Sequence, residues 1–274
     1  MFPKLFVIPG FWGLPDFPIH FYGVFLALGY FTAFAFAARL GKRDGIDPDK
    51  IWDLSIWVLV SAVVGSKALL AVVDPEHAFS LRTAGVFYGG FVAATAVGMW
   101  YVRRHALPFW RVCDVAGPAI ALGEGIGRIG CLSVGCCWGK ETTSALGIVF
   151  TSQYAHSVVG VPLGVPLWPT QIILSINGFL LAAVLLFIAR FRRFDGQVFW
   201  SFVLLHSVTR GMIEFLRGDP RGSLGPLSTS QVVAIGTALV AVAALVVLAR
   251  RPRGGSPIVE DPGREPRRKS KRRR

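Results

Sequence analysis

The chain has 274 residues, of which 53% are hydrophobic and only 16% charged, with a mean hydropathy of +0.54. A water-soluble domain carries about 25% charged residues, so this chain cannot cover its surface with polar groups; disordered and collagen-like classes are excluded, and four cysteines are too few for a disulfide scaffold. The formal charge of +13 is concentrated, because residues 250–274 hold eleven Lys or Arg against three acids. That tail is expected to be disordered and cytoplasmic and to rest on anionic lipid headgroups. No nucleic-acid fold motif accompanies it, so nucleic acid is not an expected partner.

What remains is an all-α polytopic membrane protein. Residues 1–17 are broken by Pro and Gly and read as an interfacial N-terminal segment. Seven apolar runs then predict transmembrane helices over 18–39, 51–73, 85–102, 112–132, 168–190, 197–216 and 230–249. Together they make a seven-helix membrane domain over 18–249. No clean period-two alternation runs through them, which excludes a transmembrane barrel. The connections are short except for 133–167. Arg39, Lys42, Arg43 and Lys50 flank the first connection, Arg103, Arg104 and Arg111 the third, and Arg190, Arg192 and Arg193 the fifth; the second has only Arg82. Positive charge marks cytoplasmic loops. The N-terminus is therefore expected outside, the tail inside, and the 133–167 loop on the outer face.

Several charges fall where lipid should be, each costing about 2.5–3.5 kcal/mol on insertion scales unless it meets a partner or a wet cavity. The second span carries Asp53 and Lys67, and the fourth carries Asp114, Glu124 and Arg128. In the sixth, His206, Arg210, Glu214 and Arg217 recur at one helical face. Arg210 is four residues from Glu214 and Glu124 four from Arg128, the spacing of ion pairs. Pairing between helices accounts for Asp53 and Glu124 as well as a functional role does. For the outer ends the arithmetic differs: Lys67, Arg128, Arg210 and Arg217 face only Glu124 and Glu214, so positive charge is left over. An anion is wanted there, and arginine's forked donors suit a phosphate.

Residues 123–139 read GEGIGRIGCLSVGCCWG. Gly123, Gly125 and Gly127 suit close helix packing. Cys131, Cys136 and Cys137 leave three readings open. The C-x4-C-C spacing matches no common zinc pattern and supplies no clear fourth ligand, so no metal and no cofactor is expected. A disulfide fits an oxidising outer face, though not between the vicinal pair without strain. A catalytic thiol is the third. Cys113 reads as an apolar filler.

Gly127-Arg128-Ile129-Gly130-Cys131 through Gly139 resembles the signature of prolipoprotein diacylglyceryl transferases, roughly G-R-x-G-N-x-x-N-G-E-x-x-G. His20-Phe21-Tyr22-Gly23, Gly65-Ser66-Lys67, Phe87-Tyr88-Gly89-Gly90, Pro169-Thr170-Gln171, Asp195-Gly196-Gln197, Arg210-x-x-x-Glu214-Phe215-x-Arg217 and Leu227-Ser228-x-x-Gln231 follow in that family's order. The resemblance implies a bacterial inner-membrane enzyme. Such an enzyme moves the diacylglyceryl group of phosphatidylglycerol to the lipobox cysteine thiol of a prolipoprotein and releases glycerol phosphate. It further implies that Arg128 holds the lipid phosphate, that Arg210 stabilises the leaving group with Glu214 orienting it, and that Tyr22 places the headgroup. Tyr88 joins the catalytic set. His20, Lys67, Gly127, Gly130 and Arg217 join Arg128 in binding substrate. Cys131, Val134 and Cys136 stand where the signature has Asn, Asn and Glu. Tyr88 replaces a histidine and Lys67 an arginine. These departures keep two alternatives in view: a lipid-fragment transferase with another acceptor, and a non-catalytic phospholipid binder or flippase.

Overall fold

A computed structural model describes residues 4–8, 17–77, 86–219 and 222–250. The basic tail beyond Arg250 and most of the N-terminal segment lie outside the described residues. Seven long helices carry the fold: α1 (Phe21–Arg43), α2 (Pro48–Val73), α3 (Phe87–Arg104), α4 (Phe109–Val134), α6 (Thr170–Arg190), α7 (Gln197–Glu214) and α8 (Thr229–Arg250). A short helix α5 (Gln153–Val159) and three two-stranded antiparallel pairs complete it: β1 (Lys4–Ile8) with β2 (Phe17–His20), β3 (Ile148–Val149) with β4 (Pro166–Leu167), and β5 (Ser223–Leu224) with β6 (Leu227–Ser228).

The helix ends follow local chemistry. Asp47 accepts from the Asp49 amide and Pro48 opens α2, a start signal that needs no tertiary help. Gly135, at φ +83°, ends α4 in the left-handed conformation that a side chain disfavours. Five of the long helices, α1, α2, α4, α6 and α8, are long and apolar enough to cross a membrane. In α7 the hydropathy is reduced by Gln197, His206, Arg210 and Glu214, and α3 has only 18 residues with two arginines at its end.

At the centre, α4 packs on α1, α6 and α7; α2 pairs with α3, and α7 with α8. The contact of α4 with its neighbours is backbone to backbone. A Cβ on Gly178 would sit 2.7 Å from the Gly125 nitrogen and one on Gly29 2.8 Å from the Gly123 oxygen, so only glycine fits at either position. Ser175 Oγ adds a 2.7 Å bond to the Gly125 carbonyl. Gly123 and Gly125 are thus packing residues, whereas Gly127 faces open space. Large apolar side chains such as Val72, Phe87, Phe91 and Leu239 face outwards, a surface suited to hydrocarbon. The 133–167 segment carries its own small core of Trp138, Phe150, Ala155, Val161 and Leu167.

Two of the charges inside helices are structural. Asp53 is hydrogen-bonded to the buried Tyr101 of α3. Asp114 accepts from the Gly196 amide at 2.8 Å and the Phe199 amide at 2.9 Å, with Arg192 Nη1 at 3.5 Å. It therefore caps α7 from a neighbouring helix, at a junction where Gly196, free of a Cβ, takes φ +92°. Asp114→Ala leaves two buried amides without an acceptor. It should cost about 1–3 kcal/mol, read as a lower thermal unfolding midpoint in detergent.

Candidate active site

The site is assembled where α4 and α7 end. On α4, Arg128 Nη2 donates to Glu124 Oε1 at 2.9 Å, and Arg128 Nη1 points at Cys137 Sγ, 3.7 Å away. The second oxygen of Glu124 lies 3.4 Å from His206 Nδ1, so one carboxylate joins α4 to α7. A turn further along α7, Arg210 Nη1 donates to Glu214 Oε2. Glu214 is 7% exposed, and its other oxygen accepts from Ser228 Oγ at 3.1 Å. Ser228 is fixed in turn by a capping box opening α8: its amide donates to Gln231 Oε1 at 2.9 Å and its hydroxyl accepts from the Gln231 amide at 3.2 Å.

Arg217 is more deeply held, at 5% exposed. Its Nε and Nη2 donate to the two oxygens of Asp219 at 2.9 and 2.7 Å, a bidentate fork, while its Nη1 is buried without a nitrogen or oxygen partner. A cavity of about 270 Å³ opens beside Glu214, Arg217, Asp219 and Lys140.

The third component is the chain after α4. It is stapled to the end of α7 by the Lys140 amide on the Leu216 carbonyl at 2.8 Å and by the Gly218 amide on the Trp138 carbonyl at 3.1 Å. It is stapled to the start of α6 by Thr170 Oγ1 on the Cys137 carbonyl, at 2.6 Å, and Gln171 Nε2 on the Cys136 carbonyl, at 2.8 Å. Both α6 side chains are fully buried. This turn brings Cys131, Cys136 and Cys137 together as free thiols, their sulfurs all within 4.8 Å of one another. Hydrogen bonds from the other two thiols, and then the Arg217 guanidinium, hold the Cys137 thiol below the usual range, whereas hydrogen bonds with Cys131 and Cys137, together with burial, push Cys136 up.

Of the residues expected at a site, Arg128, Arg210, Glu214 and Arg217 are brought into one linked cluster. Tyr22, in the first turn of α1, has its backbone against Gly130, and Arg128 and the three thiols are its electrostatic neighbours. His20, just before α1, meets the hydroxyl of Tyr154 on α5 at 3.0 Å. Lys67 and Tyr88 stand on the α2–α3 hairpin; Tyr88 is 60% exposed, its ring edge-on to Phe87. The tally of outer-end charges left out Asp219. It lies two residues past Arg217 in a loop, and the helical spacing that flagged the others does not extend there.

The sequence profile of prolipoprotein diacylglyceryl transferase matches residues 9–247. The chain belongs to the prolipoprotein diacylglyceryl transferase family. It is 35% identical to the phosphatidylglycerol–prolipoprotein diacylglyceryl transferase of Clostridium tetani over 232 residues, 82% of this chain and 91% of the relative. Against the second such enzyme of Clostridium perfringens the identity is 36%, over 79% of this chain and 86% of that one. Against the enzyme of Dehalococcoides mccartyi it is 32%, over 82% and 86%. The family motifs fall on the scaffold just described. Pro169-Thr170-Gln171 fastens the thiol turn, Ser228 and Gln231 fasten Glu214, and Asp195-Gly196-Gln197 forms the junction that Asp114 caps.

The depressed Cys137 thiol gives a direct test. In chelator-washed protein at pH 6, iodoacetamide should label Cys137 ahead of Cys136, read by peptide mass, because a lowered pKa keeps the reactive thiolate present below the pH where ordinary thiols are protonated. Arg217→Gln should slow that labelling.

Proposed function

We infer that the chain transfers the diacylglyceryl group of phosphatidylglycerol to the lipobox cysteine thiol of prolipoproteins, in the maturation of bacterial lipoproteins. The observation that carries this reading is the linked cluster of Arg128, Arg210, Glu214 and Arg217 at the ends of α4 and α7, in a chain of this family. In the reaction a thiolate attacks the glyceryl carbon next to the phosphate ester. The carbon–oxygen bond breaks, both electrons leave with the phosphate oxygen, and glycerol phosphate departs. Charge grows on the phosphate during that step, and fixed guanidinium donors in a water-poor site stabilise it most.

Each side chain then has a role. Arg128 grips the lipid phosphate, which exchanges for part of its bond to Glu124. Arg210 meets the departing phosphate oxygen, and Glu214, held by Ser228, orients Arg210. Arg217, whose Nη1 has no oxygen or nitrogen partner, adds a second buried cation. Tyr22 in the first turn of α1 and His20 just before it border the headgroup position, the open space at Gly127 leaves room for it, and Gly130 lets the Tyr22 backbone come close to α4. Lys67 supplies positive charge on the hairpin side. Tyr88 contributes a phenol hydrogen bond there.

All seven long helices span the bacterial cytoplasmic membrane, with the N-terminus outside and the tail inside. The clustering of Lys and Arg on alternate connections supports this, as does the resulting position of the site in the outer half of the bilayer, facing secreted substrates. The outer 133–167 loop covers that half, the N-terminal segment lies at the interface, and the tail binds anionic lipid of the inner leaflet. A related transferase with a different acceptor is the second reading; Cys131, Val134 and Cys136 at the signature's amide and carboxylate positions favour it.

Incubating the purified chain with phosphatidylglycerol and a lipobox peptide should add a diacylglyceryl mass to the peptide. Arg128→Ala and Arg210→Ala should each lower the rate by about 100-fold or more, while the protein still inserts and folds. Arg128→Lys should fall between, because it keeps the charge and loses the fork. Normal turnover in either alanine variant would overturn the roles, and modification of other nucleophiles but not this peptide would favour the second reading.

A further inference from the structure

An acceptor thiol has an ordinary pKa of about 8.5, so it needs help to become the thiolate that attacks. The carboxylates at the site are occupied by arginines. The three cysteines offer a different solution. We propose that Cys131, Cys136 and Cys137 form a three-thiolate zinc site with an open fourth position, and that the acceptor's cysteine fills that position as the metal-bound nucleophile. The proposal rests on the reaction as read above.

Geometry supports it first. Tetrahedral zinc with Zn–S bonds of about 2.3 Å sets its sulfurs about 3.8 Å apart. The three sulfurs here already lie within 4.8 Å of one another, so closure on an ion takes a contraction of about 1 Å or less. The backbone is arranged for it. Cys131 lies in the last turn of α4, Gly135 reverses the chain, and Cys137 sits at φ +62°. A left-handed non-glycine residue costs about 1–2 kcal/mol, and such strain collects at functional positions. Two vicinal cysteines do not ordinarily aim both sulfurs at one point; the reversal at Cys137, fastened by Thr170 and Gln171, does this here.

Charge is the second support. Zinc with four thiolates carries a net charge of two minus, which a site this deep must balance. Arg128 Nη1 lies 3.7 Å from Cys137 Sγ, and Arg217, within hydrogen-bonding reach of the same sulfur, keeps a buried donor without an oxygen or nitrogen partner. Arg128 is also the side chain assigned to the lipid phosphate, so the metal-bound thiolate and the ester it attacks meet on one guanidinium.

The vacant ligand position is the third. Among the described residues the ligand group consists of these three cysteines. Three protein ligands and one exchangeable position is the pattern of catalytic zinc, where structural sites supply four. A thiol that binds zinc loses its proton. The acceptor S–H therefore gives its proton to solvent and its sulfur to the metal. The sulfur then forms the bond to the glyceryl carbon, the carbon–oxygen bond breaks with its electron pair going to the phosphate, and the neutral thioether, a weaker ligand, leaves. Zinc changes no oxidation state, so no oxidant or reductant is needed.

The test uses the full chain in detergent. Metal analysis after zinc loading should give one zinc per chain in the wild type and none in the Cys131→Ser, Cys136→Ser, Cys137→Ser triple variant. Cobalt in place of zinc should show thiolate-to-metal absorption, and a lipobox peptide, but not its serine analogue, should shift the tetrahedral cobalt bands. Chelation should reduce transfer by about 100-fold or more, restored by zinc. Phosphatidylglycerol binding by the triple variant, still lost on Arg128→Ala, shows that the fold survives. Full-rate transfer by metal-free protein, unchanged zinc content in the triple variant, a chain two mass units light with a disulfide and no metal, or no cobalt shift with the peptide would each overturn the site. A cobalt shift with the peptide and no diacylglyceryl transfer would uphold the site and remove the reaction assigned to it.

Discussion

A guanidinium packed among apolar helices is tolerable only when a carboxylate or a wet cavity meets it, and this requirement organises the protein. Arg128 with Glu124, Arg210 with Glu214, and Arg217 with Asp219 satisfy it three times within one small region. Each carboxylate is itself positioned by a second helix: Glu124 by His206 of α7, Glu214 by Ser228 at the start of α8. The pairs are thus joints between helices as well as reserves of positive charge. Replacing a whole pair by apolar residues is often neutral or even stabilising, so stability alone does not account for these pairs.

Much of the architecture was legible because lipid simplifies the code. Each apolar run of the required length became a helix, with ends shifted by two to four residues where capping chemistry decided them: Asp47 and Pro48 started α2 earlier than hydropathy did, and Gly135 stopped α4 later. His206, Arg210 and Glu214 of the charged stripe fall on α7 at that spacing, because spacing of four is a property of one helix, whereas Arg217 lies beyond the helix end. The same stripe is why α7 scores as too polar for a span.

What stayed hidden depended on folding at a distance. Asp114 read as an unexplained buried charge until Gly196 and Phe199 were seen to donate to it from residues 82 and 85 positions away. Asp219 was missed because it lies in a loop. The convergence of the three sulfurs could not be read from C-x4-C-C, because it depends on one left-handed residue and on two side chains of α6. The spacing argued against a metal for lack of a fourth ligand; with the reaction in view, the lack became the reason to consider one.

The glycine contacts along α4 set where the protein can yield. With its backbone against those of α1 and α6, α4 has no sideways slack, whereas α3 reaches the bundle chiefly through α2. A substrate with two acyl chains arrives from within the sheet of lipid, not from water. The wall that carries Arg128 is the one locked by backbone contact, and the α2–α3 pair that carries Lys67 and Tyr88 joins the bundle mainly through α1 and only lightly through α4.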